Sequence, residues 1–236
     1  MGDEFVMVDG TALVTEVLSR RVCRRMNNCV FIILKRMIKH DDMVAGLDIT
    51  WFTSDDALVA ICCALLAIFS LIGCVLITSD GRLECIKKLL SNKDITFVGV
   101  HMKENVKKMR TESYVEISNA VDVGELAADV LHQPLRGIGV RRLATEVLKV
   151  PFKPRPLFLS WGNLNVREPE NLTKNQIEYV ATDAYAAYKI GKKFAWILTG
   201  VGLSGFQAIV NGLMELGSNG KNSPIQLDDR KNEKGL

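Results

Sequence analysis

Alternating apolar and polar positions along the chain predict several β-strands. The clearest is Met43–Phe52, in which Leu47, Ile49 and Trp51 alternate with Asp48 and Thr50. Asp48 and Thr50 therefore share one face of this strand, and the apolar residues between them share the other. Shorter strands are predicted at the apolar runs Phe5–Val8 and Ile95–Val100, and at Ala120-Val121.

Apolar positions that recur every 3.6 residues predict helices. The best-defined helix is Asn171–Phe194, which opens with Thr173 and Gln176 at the spacing of a capping box. Further helices are predicted at Thr11–Met26, at Arg82–Leu90, from Val106 onward, from Asp122 to Leu131 and at Gly139–Leu148. Strands come first and helices dominate from the middle on, which predicts an α/β domain with helices covering a sheet.

The segment Ala57–Thr78 contains 22 residues and no charged side chain. Its length and apolarity satisfy the usual criterion for a transmembrane helix. Its Val, Ile and Cys content also suits two buried strands, but Leu65–Leu71 then stands where a polar turn is expected. The pattern of this segment alone leaves both interpretations open.

Composition narrows the class of protein. The chain has 236 residues, of which 48% are hydrophobic and 24% charged, so it is long enough and apolar enough for a folded domain. A net charge of +3 does not by itself indicate nucleic-acid binding. The acidic N-terminus lacks the apolar core of a signal peptide, and the six cysteines show no metal-binding spacing. We therefore expect an intracellular protein, in the nucleus or cytoplasm, with reduced thiols.

Two places in the sequence suggest chemistry. Tyr179 and Asp183 are four residues apart and share one stripe of the Asn171–Phe194 helix, as many unrelated surface pairs do. Asp48 is more informative, because a carboxylate in the middle of a strand is unfavourable unless it is paired, exposed or bound to a cation.

Several segments together resemble the plant Werner-like 3′→5′ exonucleases of the DnaQ-like, ribonuclease H-like group. They are GLDITW, ITFVGVHMKENVKKM, NAVDVGELAADVL, LSWGNL and LTKNQIEYVATDAYAAYKIG, in that order. The resemblance implies a mixed five-stranded sheet of order 3-2-1-4-5 flanked by helices, with Ala57–Thr78 as its second and third strands. It also implies an exonuclease-like domain at 43–194, preceded by a strand and helix extension at 1–42. A helical extension at 195–216 and a disordered tail at 217–236 would follow.

In that family four carboxylates hold two Mg²⁺ or Mn²⁺ ions, and a tyrosine positions the attacking water. The resemblance assigns Asp48 and Asp183 as metal ligands and catalytic residues, with Tyr179 as the catalytic tyrosine. Thr50 stands where the family has a glutamate, and Asn105 where it has an aspartate. Metal binding is therefore expected to be weak or lost, because two charges that stabilise the dications are absent.

Three functions remain in competition. The first is a 3′→5′ exonuclease, a phosphodiester hydrolase with weakened activity on DNA or RNA 3′ ends. The second is a catalytically inactive relative that binds nucleic acid, a protein partner or another copy of a related chain. The third, a membrane-tethered protein, is disfavoured because the resemblance makes Ala57–Thr78 strands. Basic residues that could contact phosphates in the first two cases are Lys107, Lys108, Arg110, Arg141 and Arg142.

Overall fold

A computed structural model of the chain describes residues 4–8, 11–18, 23–51, 56–64, 70–78, 84–152 and 172–199. Within these residues the backbone forms a seven-stranded sheet. The strands are β1 (Glu4–Val8), β2 (Thr11–Leu18), β3 (Val44–Trp51), β4 (Asp56–Ala64), β5 (Ser70–Thr78), β6 (Thr96–Gly99) and β7 (Ala120–Asp122). The helices are α1 (Cys23–Lys39), α2 (Glu84–Leu90), α3 (Met102–Glu112), α4 (Val123–Leu131), α5 (Val140–Leu148) and α6 (Lys174–Thr199).

The sheet is mixed, and its spatial order is β1-β2-β5-β4-β3-β6-β7. Antiparallel pairs join β1 to β2, β3 to β4 and β4 to β5. Parallel pairs join β2 to β5, β3 to β6 and β6 to β7. The predicted α/β class with a mixed sheet is confirmed, and the described sheet has seven strands, two more than the five-stranded core that the resemblance implies.

Helices cover both faces of the sheet, and the alternation along β3 assigns its residues to the two faces. The core on one face joins Val44 to residues of α4, α5 and α6. The core on the other face joins Leu47 and Ile49 to residues of α1, α2 and α3. Because successive strand residues point in opposite directions, Asp48 and Thr50 belong to the face that carries α6.

Helix α6 lies directly against β3 because glycine occupies position 46. A Cβ added at Gly46 would collide with the carbonyl oxygen of Ala184 and would lie 2.7 Å from the backbone nitrogen of Tyr188. A second close approach brings Gly191 of α6 against Val98 of β6, where an added Cβ would lie 2.7 Å from a methyl carbon. The two glycines set the distance between the longest helix and the centre of the sheet.

A buried polar contact fixes the same helix to the chain just before β3. The Tyr188 hydroxyl donates a hydrogen bond of 2.7 Å to Asp42 Oδ2, and Lys192 Nζ lies 3.0 Å from the same oxygen. The other carboxylate oxygen, Oδ1, accepts a hydrogen bond of 3.4 Å from the Val44 backbone. Asp42 thus ties α6 to the start of β3, and its buried charge is compensated by Lys192.

Side chains cap the starts of two helices, and the cap at Thr173 is the one that the sequence predicts. Thr173 Oγ1 accepts a hydrogen bond from the Gln176 backbone, and Gln176 Oε1 accepts one from the Thr173 backbone, which completes the capping box of α6. Asp122 Oδ1 accepts from the backbone of Gly124 and Glu125 at the start of α4. Its Oδ2 accepts from the Met102 backbone, so one carboxylate serves the starts of two helices.

The helix predicted at Thr11–Met26 is wrong. Residues 11–18 form β2, and α1 begins only at Cys23. Four of the eight residues of β2 are β-branched, a composition that favours strands. Pairing with β1 and β5 on its two sides completes the hydrogen bonding of this strand. The partner β5 lies more than fifty residues away in sequence, so periodicity alone could not reveal the pairing.

The apolar segment Ala57–Thr78 forms two strands, β4 and β5, paired antiparallel from Asp56↔Thr78 to Ala64↔Ser70. The strand interpretation is confirmed, and the connection at 65–69 lies outside the described residues. No described helix combines the length and the apolarity needed to cross a membrane. The proline-containing loop after Phe152 and the predicted tail at 217–236 also lie outside the described residues.

The close approach at position 46 predicts a large effect of Gly46→Ala. The added methyl group must displace the backbone of α6, and overpacking of this kind costs about 1–3 kcal/mol or more. Urea denaturation measures this loss, with Gly139→Ala as the control because no atom lies within 4 Å of a Cβ added there. Similar unfolding free energies for the two variants would contradict the described packing.

The Asp42 contact predicts that Tyr188→Phe lowers the free energy of unfolding by about 1 kcal/mol, because a buried carboxylate oxygen loses one of its two donors and keeps Lys192. Tyr114→Phe is the matched control, since Tyr114 is largely exposed. Thermal denaturation followed by circular dichroism gives both values. Equal melting temperatures for the two variants would show that the Tyr188 hydroxyl contributes nothing to stability.

Candidate active site

Strand β3 presents Asp48 and Thr50 next to each other on the α6 face. Both residues are half-buried. Thr50 Oγ1 donates a hydrogen bond of 3.3 Å to Asp48 Oδ2. Thr50, at which the resemblance predicts a glutamate, therefore acts as a donor to the neighbouring carboxylate.

Helix α6 supplies Tyr179 and Asp183 one turn apart, and both are buried, with 8% and 6% of their surface exposed. Asp183 directly precedes Ala184, whose carbonyl oxygen faces Gly46 of β3. Since Gly46 is two residues before Asp48 on the same face of the strand, the contact between helix and strand brings the two aspartates to the same region. The fold thus joins residues that are 135 positions apart in sequence.

Arg141 of α5 contacts this region through its guanidinium group. Its Nε donates to Asp183 Oδ1 at 2.5 Å, and its Nη2 donates to the Tyr179 carbonyl oxygen at 3.1 Å. The guanidinium carbon lies 4.7 Å from the centre of the Tyr179 ring. Only 12% of the Arg141 side chain and 8% of the Asp183 side chain are exposed, so this is a buried ion pair.

Packing of α5 on α6 holds Arg141 in place. Val140, Leu143, Ala144 and Val147 of α5 are buried and belong to the same core as the inner face of α6. At the other end of α5, Lys193 Nζ donates to the Val147 carbonyl oxygen at 2.6 Å. Contacts at both ends of α5 therefore fix its position along α6.

Asn105 lies on α3, and both the oxygen and the nitrogen of its side-chain amide form hydrogen bonds. Trp51 Nε1, at the end of β3, donates a hydrogen bond of 3.0 Å to Asn105 Oδ1. Asn105 Nδ2 donates to the Val100 carbonyl oxygen at 3.4 Å. Asn105 thus links the end of β3 to the start of α3.

The predicted phosphate-contacting residues occupy different environments. Lys107 and Arg142 are exposed. Lys108 is half-buried, with its Nζ 4.1 Å from the centre of the Trp51 ring and 3.8 Å from Glu112 Oε2. Arg141 differs from the other basic residues because its guanidinium faces Asp183 rather than solvent.

A cavity of about 450 Å³ opens beside the Arg141–Asp183 pair. Arg142, Phe152 and Tyr179 also line it. An open, partly polar cavity that contains a buried ion pair is a common feature of ligand sites. The sequence analysis identified Arg141, Arg142, Tyr179 and Asp183 on two separate helices but did not place them together. It did not identify Phe152 as a site residue.

Sequence reasoning missed two contacts that shape the site. Trp51 was placed on the correct strand, but its hydrogen bond to Asn105 joins residues 54 positions apart. Arg141 was assigned to phosphate contact, and its pairing with Asp183 spans 42 positions. The pairing of an arginine on α5 with a buried aspartate on α6 has no local sequence signature, because the pairing depends on how the two helices pack.

The chain matches several solved structures, among them RNase D, NrnC and the exonuclease domain of EXD2. Escherichia coli RNase D, described as an exoribonuclease involved in structured RNA processing, matches with a TM-score of 0.54 and 14% identity. The match covers 85% of this chain and 50% of RNase D, so the chain spans about half of that protein. Brucella melitensis NrnC bound to pGG matches with a TM-score of 0.50 and 14% identity, over 78% of this chain and 90% of NrnC.

The exonuclease domain of EXD2, in a structure soaked with manganese and dGMP, matches with a TM-score of 0.40 and 18% identity. That match covers 92% of this chain and 99% of the EXD2 chain. No curated protein sequence matches the chain significantly. The likeness to RNase D and NrnC shows an exonuclease-type fold.

A comparison with protein-family models gives separate evidence about the family to which the chain belongs. The model for the 3′-5′ exonuclease family matches residues 44–199, which is more than half of the chain. The matched segment begins with β3 and ends with α6, the two elements that carry Asp48 and Asp183. The chain belongs to the 3′-5′ exonuclease family.

Proposed function

We propose that this chain binds nucleic-acid 3′ ends as a member of the 3′-5′ exonuclease family and has little or no two-metal hydrolytic activity. The observation that carries this proposal is the pair of uncharged residues, Thr50 and Asn105, at positions where the family has carboxylates. Both side chains take part in hydrogen bonds within the protein. Membership of the family supports nucleic acid as the ligand.

The ligand set does not fit a pair of divalent cations. Two-metal hydrolysis holds the ions about 3.5–4 Å apart, and their mutual repulsion must be offset by negative ligands. Asp48 and Asp183 supply two negative charges at the motif positions, half of what the family provides. Among the described residues no group of three or more His, Cys, Asp or Glu side chains could hold a metal ion. We therefore assign no hydrolytic step to this site.

Asn105 is a poor substitute for a metal-binding aspartate in a further respect. Its Oδ1 already accepts from Trp51 Nε1, so coordination of a cation would compete with that hydrogen bond. An amide oxygen also carries only a partial charge, and Mg²⁺ dehydrates reluctantly unless its ligands compensate. The Asn105–Trp51 contact favours a structural role for this residue.

The exposed basic residues support a binding role. Lys107 and Arg142 lie on α3 and α5, the helices that also carry Asn105 and Arg141. Cations there would contact phosphates without base specificity and would make affinity depend on salt concentration. Tyr179 borders the cavity and is a candidate to face the terminal nucleotide.

We also propose that β5-β4-β3-β6-β7 is the five-stranded ribonuclease H-like core, numbered 3-2-1-4-5 in its own order. Strands β1 and β2 would then be an addition at the β5 edge. The family match supports this division because it begins at residue 44, the first residue of β3.

The first prediction from this proposal concerns hydrolysis. Wild-type protein and Asp48→Asn are expected to release mononucleotides from a 5′-labelled single strand and a 3′-recessed duplex at the same background rate, with Mg²⁺ or Mn²⁺. The reason is that Asp48 lacks the partner carboxylates needed to hold two metal ions. A metal-dependent release that Asp48→Asn abolishes would refute the proposed loss of hydrolysis.

The second prediction concerns binding of a single-stranded oligonucleotide with a free 3′ end. Lys107→Gln combined with Arg142→Gln is expected to weaken binding and to reduce the slope of log affinity against log salt by about 1–2. Lys93→Gln is the control, because Lys93 is exposed just before β6, at the opposite end of the sheet from Asp48. Fluorescence anisotropy at several salt concentrations gives the slopes. Equal slopes for all three proteins would exclude Lys107 and Arg142 from the interface.

A further inference from the structure

We infer that Arg141 takes the place of a divalent cation at Asp183 and closes this carboxylate to metal ions. The inference rests on the proposed function, since it explains how the site is stable without metal. It goes beyond that proposal, because it concerns Arg141, a residue to which the family resemblance assigns no part in metal binding or catalysis. In this account the site lacks two of the expected carboxylates and also contains a competing cation.

The contacts of the guanidinium carry the inference. Arg141 Nε lies 2.5 Å from Asp183 Oδ1, within the range of a strong charge-assisted hydrogen bond. Its Nη2 is held by the Tyr179 carbonyl oxygen, one turn earlier on α6. The Tyr179 ring, 4.7 Å from the guanidinium carbon, adds a cation–π contact. Arg141 is thus fixed by three groups of α6, which belong to the two residues Tyr179 and Asp183.

Because the Arg141–Asp183 pair is buried, the Asp183 carboxylate needs a compensating charge. Both side chains are largely shielded from water, with 12% and 8% exposed. A buried carboxylate requires a compensating charge, because removing it from water without a partner costs several kcal/mol. In a metal-dependent nuclease the metal ion would provide that charge. Here the protein provides it, so Asp183 remains compensated when no metal is bound.

Arginine and metal ion would exclude each other at Asp183. A divalent ion that coordinated Oδ1 would have to displace Nε from the same oxygen. If the guanidinium stayed nearby, a +1 and a +2 charge would repel each other in a site of low dielectric constant. Restoring the missing carboxylates alone should therefore give only part of the metal affinity.

The test compares two variants that both carry Thr50→Glu and Asn105→Asp. One keeps Arg141, and the other adds Arg141→Gln. Isothermal titration with Mn²⁺ alone is expected to show at least about tenfold tighter binding when Arg141 is replaced, since a competing charge-assisted hydrogen bond is removed. Adding Lys93→Gln instead is the charge-matched control, because Lys93 is exposed and does not line the cavity beside Arg141 and Asp183. We expect the control to bind Mn²⁺ within about twofold of the parent.

Equal Mn²⁺ affinity with and without Arg141, in folded variants, would overturn the inference. An equal gain from Lys93→Gln would also overturn it, because the effect would then come from net charge. Circular dichroism establishes whether each variant is folded.

A second measurement keeps Arg141 and covers the case in which Arg141→Gln does not fold. In the Thr50→Glu, Asn105→Asp variant, the ¹H–¹⁵N signal of the Arg141 Nε–H is assigned by its loss in Arg141→Lys. Saturation with Mg²⁺, judged from backbone signals near Asp48, is expected to shift this signal because the bond to Asp183 is displaced. A signal that stays unchanged at saturation would overturn the inference.

Failure of this inference is distinguishable from failure of the proposed function. The proposed function fails if the wild-type chain shows Asp48-dependent hydrolysis. The Arg141 inference fails if the restored variants bind Mn²⁺ equally well with and without Arg141. The two results come from different proteins and different readouts, so each proposal can be rejected while the other stands.

Discussion

The contact between Gly46 and the backbone of α6 is the constraint on which the site depends. It lets the longest helix approach the central strand so closely that an added methyl group would collide with the Ala184 carbonyl. Asp183 is adjacent to that contact on the helix, and Asp48 is two residues from it on the strand. Without this approach the two carboxylates would lie on separate layers of the molecule. The Asp42–Tyr188 hydrogen bond and the Gly191–Val98 contact hold the same helix at two further points.

The electrostatics of the region follow from this geometry. A fold that gathers buried carboxylates between a helix and a sheet must supply positive charge to them. In nucleases that use two metal ions the ions meet this need and perform the chemistry. In this chain Arg141 pairs with Asp183, a Thr50 hydroxyl donates to Asp48, and Trp51 occupies the Asn105 oxygen. Each contact is internal to the protein. The proposed function, binding of nucleic acid without cleavage, rests on these contacts.

The sequence predicted those parts of the fold that depend on local pattern. The alternation in Met43–Phe52 identified β3, and the Thr173–Gln176 spacing identified the start of α6 to within a few residues. It failed at Thr11–Leu18, where strand pairing with a distant β5 decides the conformation. The two motif aspartates and Tyr179 came from the family resemblance, since an i, i+4 pair on a helix is common. The Arg141–Asp183 and Trp51–Asn105 contacts could not be predicted, because both depend on side-chain packing between elements that are far apart in sequence.

The central claim is that this member of the 3′-5′ exonuclease family does not hold a pair of divalent metal ions. The most direct test is anomalous diffraction from crystals of the wild-type chain soaked with Mn²⁺, measured above the manganese absorption edge. The account predicts no pair of manganese peaks between Asp48 and Asp183, and an intact Arg141–Asp183 ion pair. Two peaks about 3.5–4 Å apart at these carboxylates, with Arg141 displaced, would contradict it.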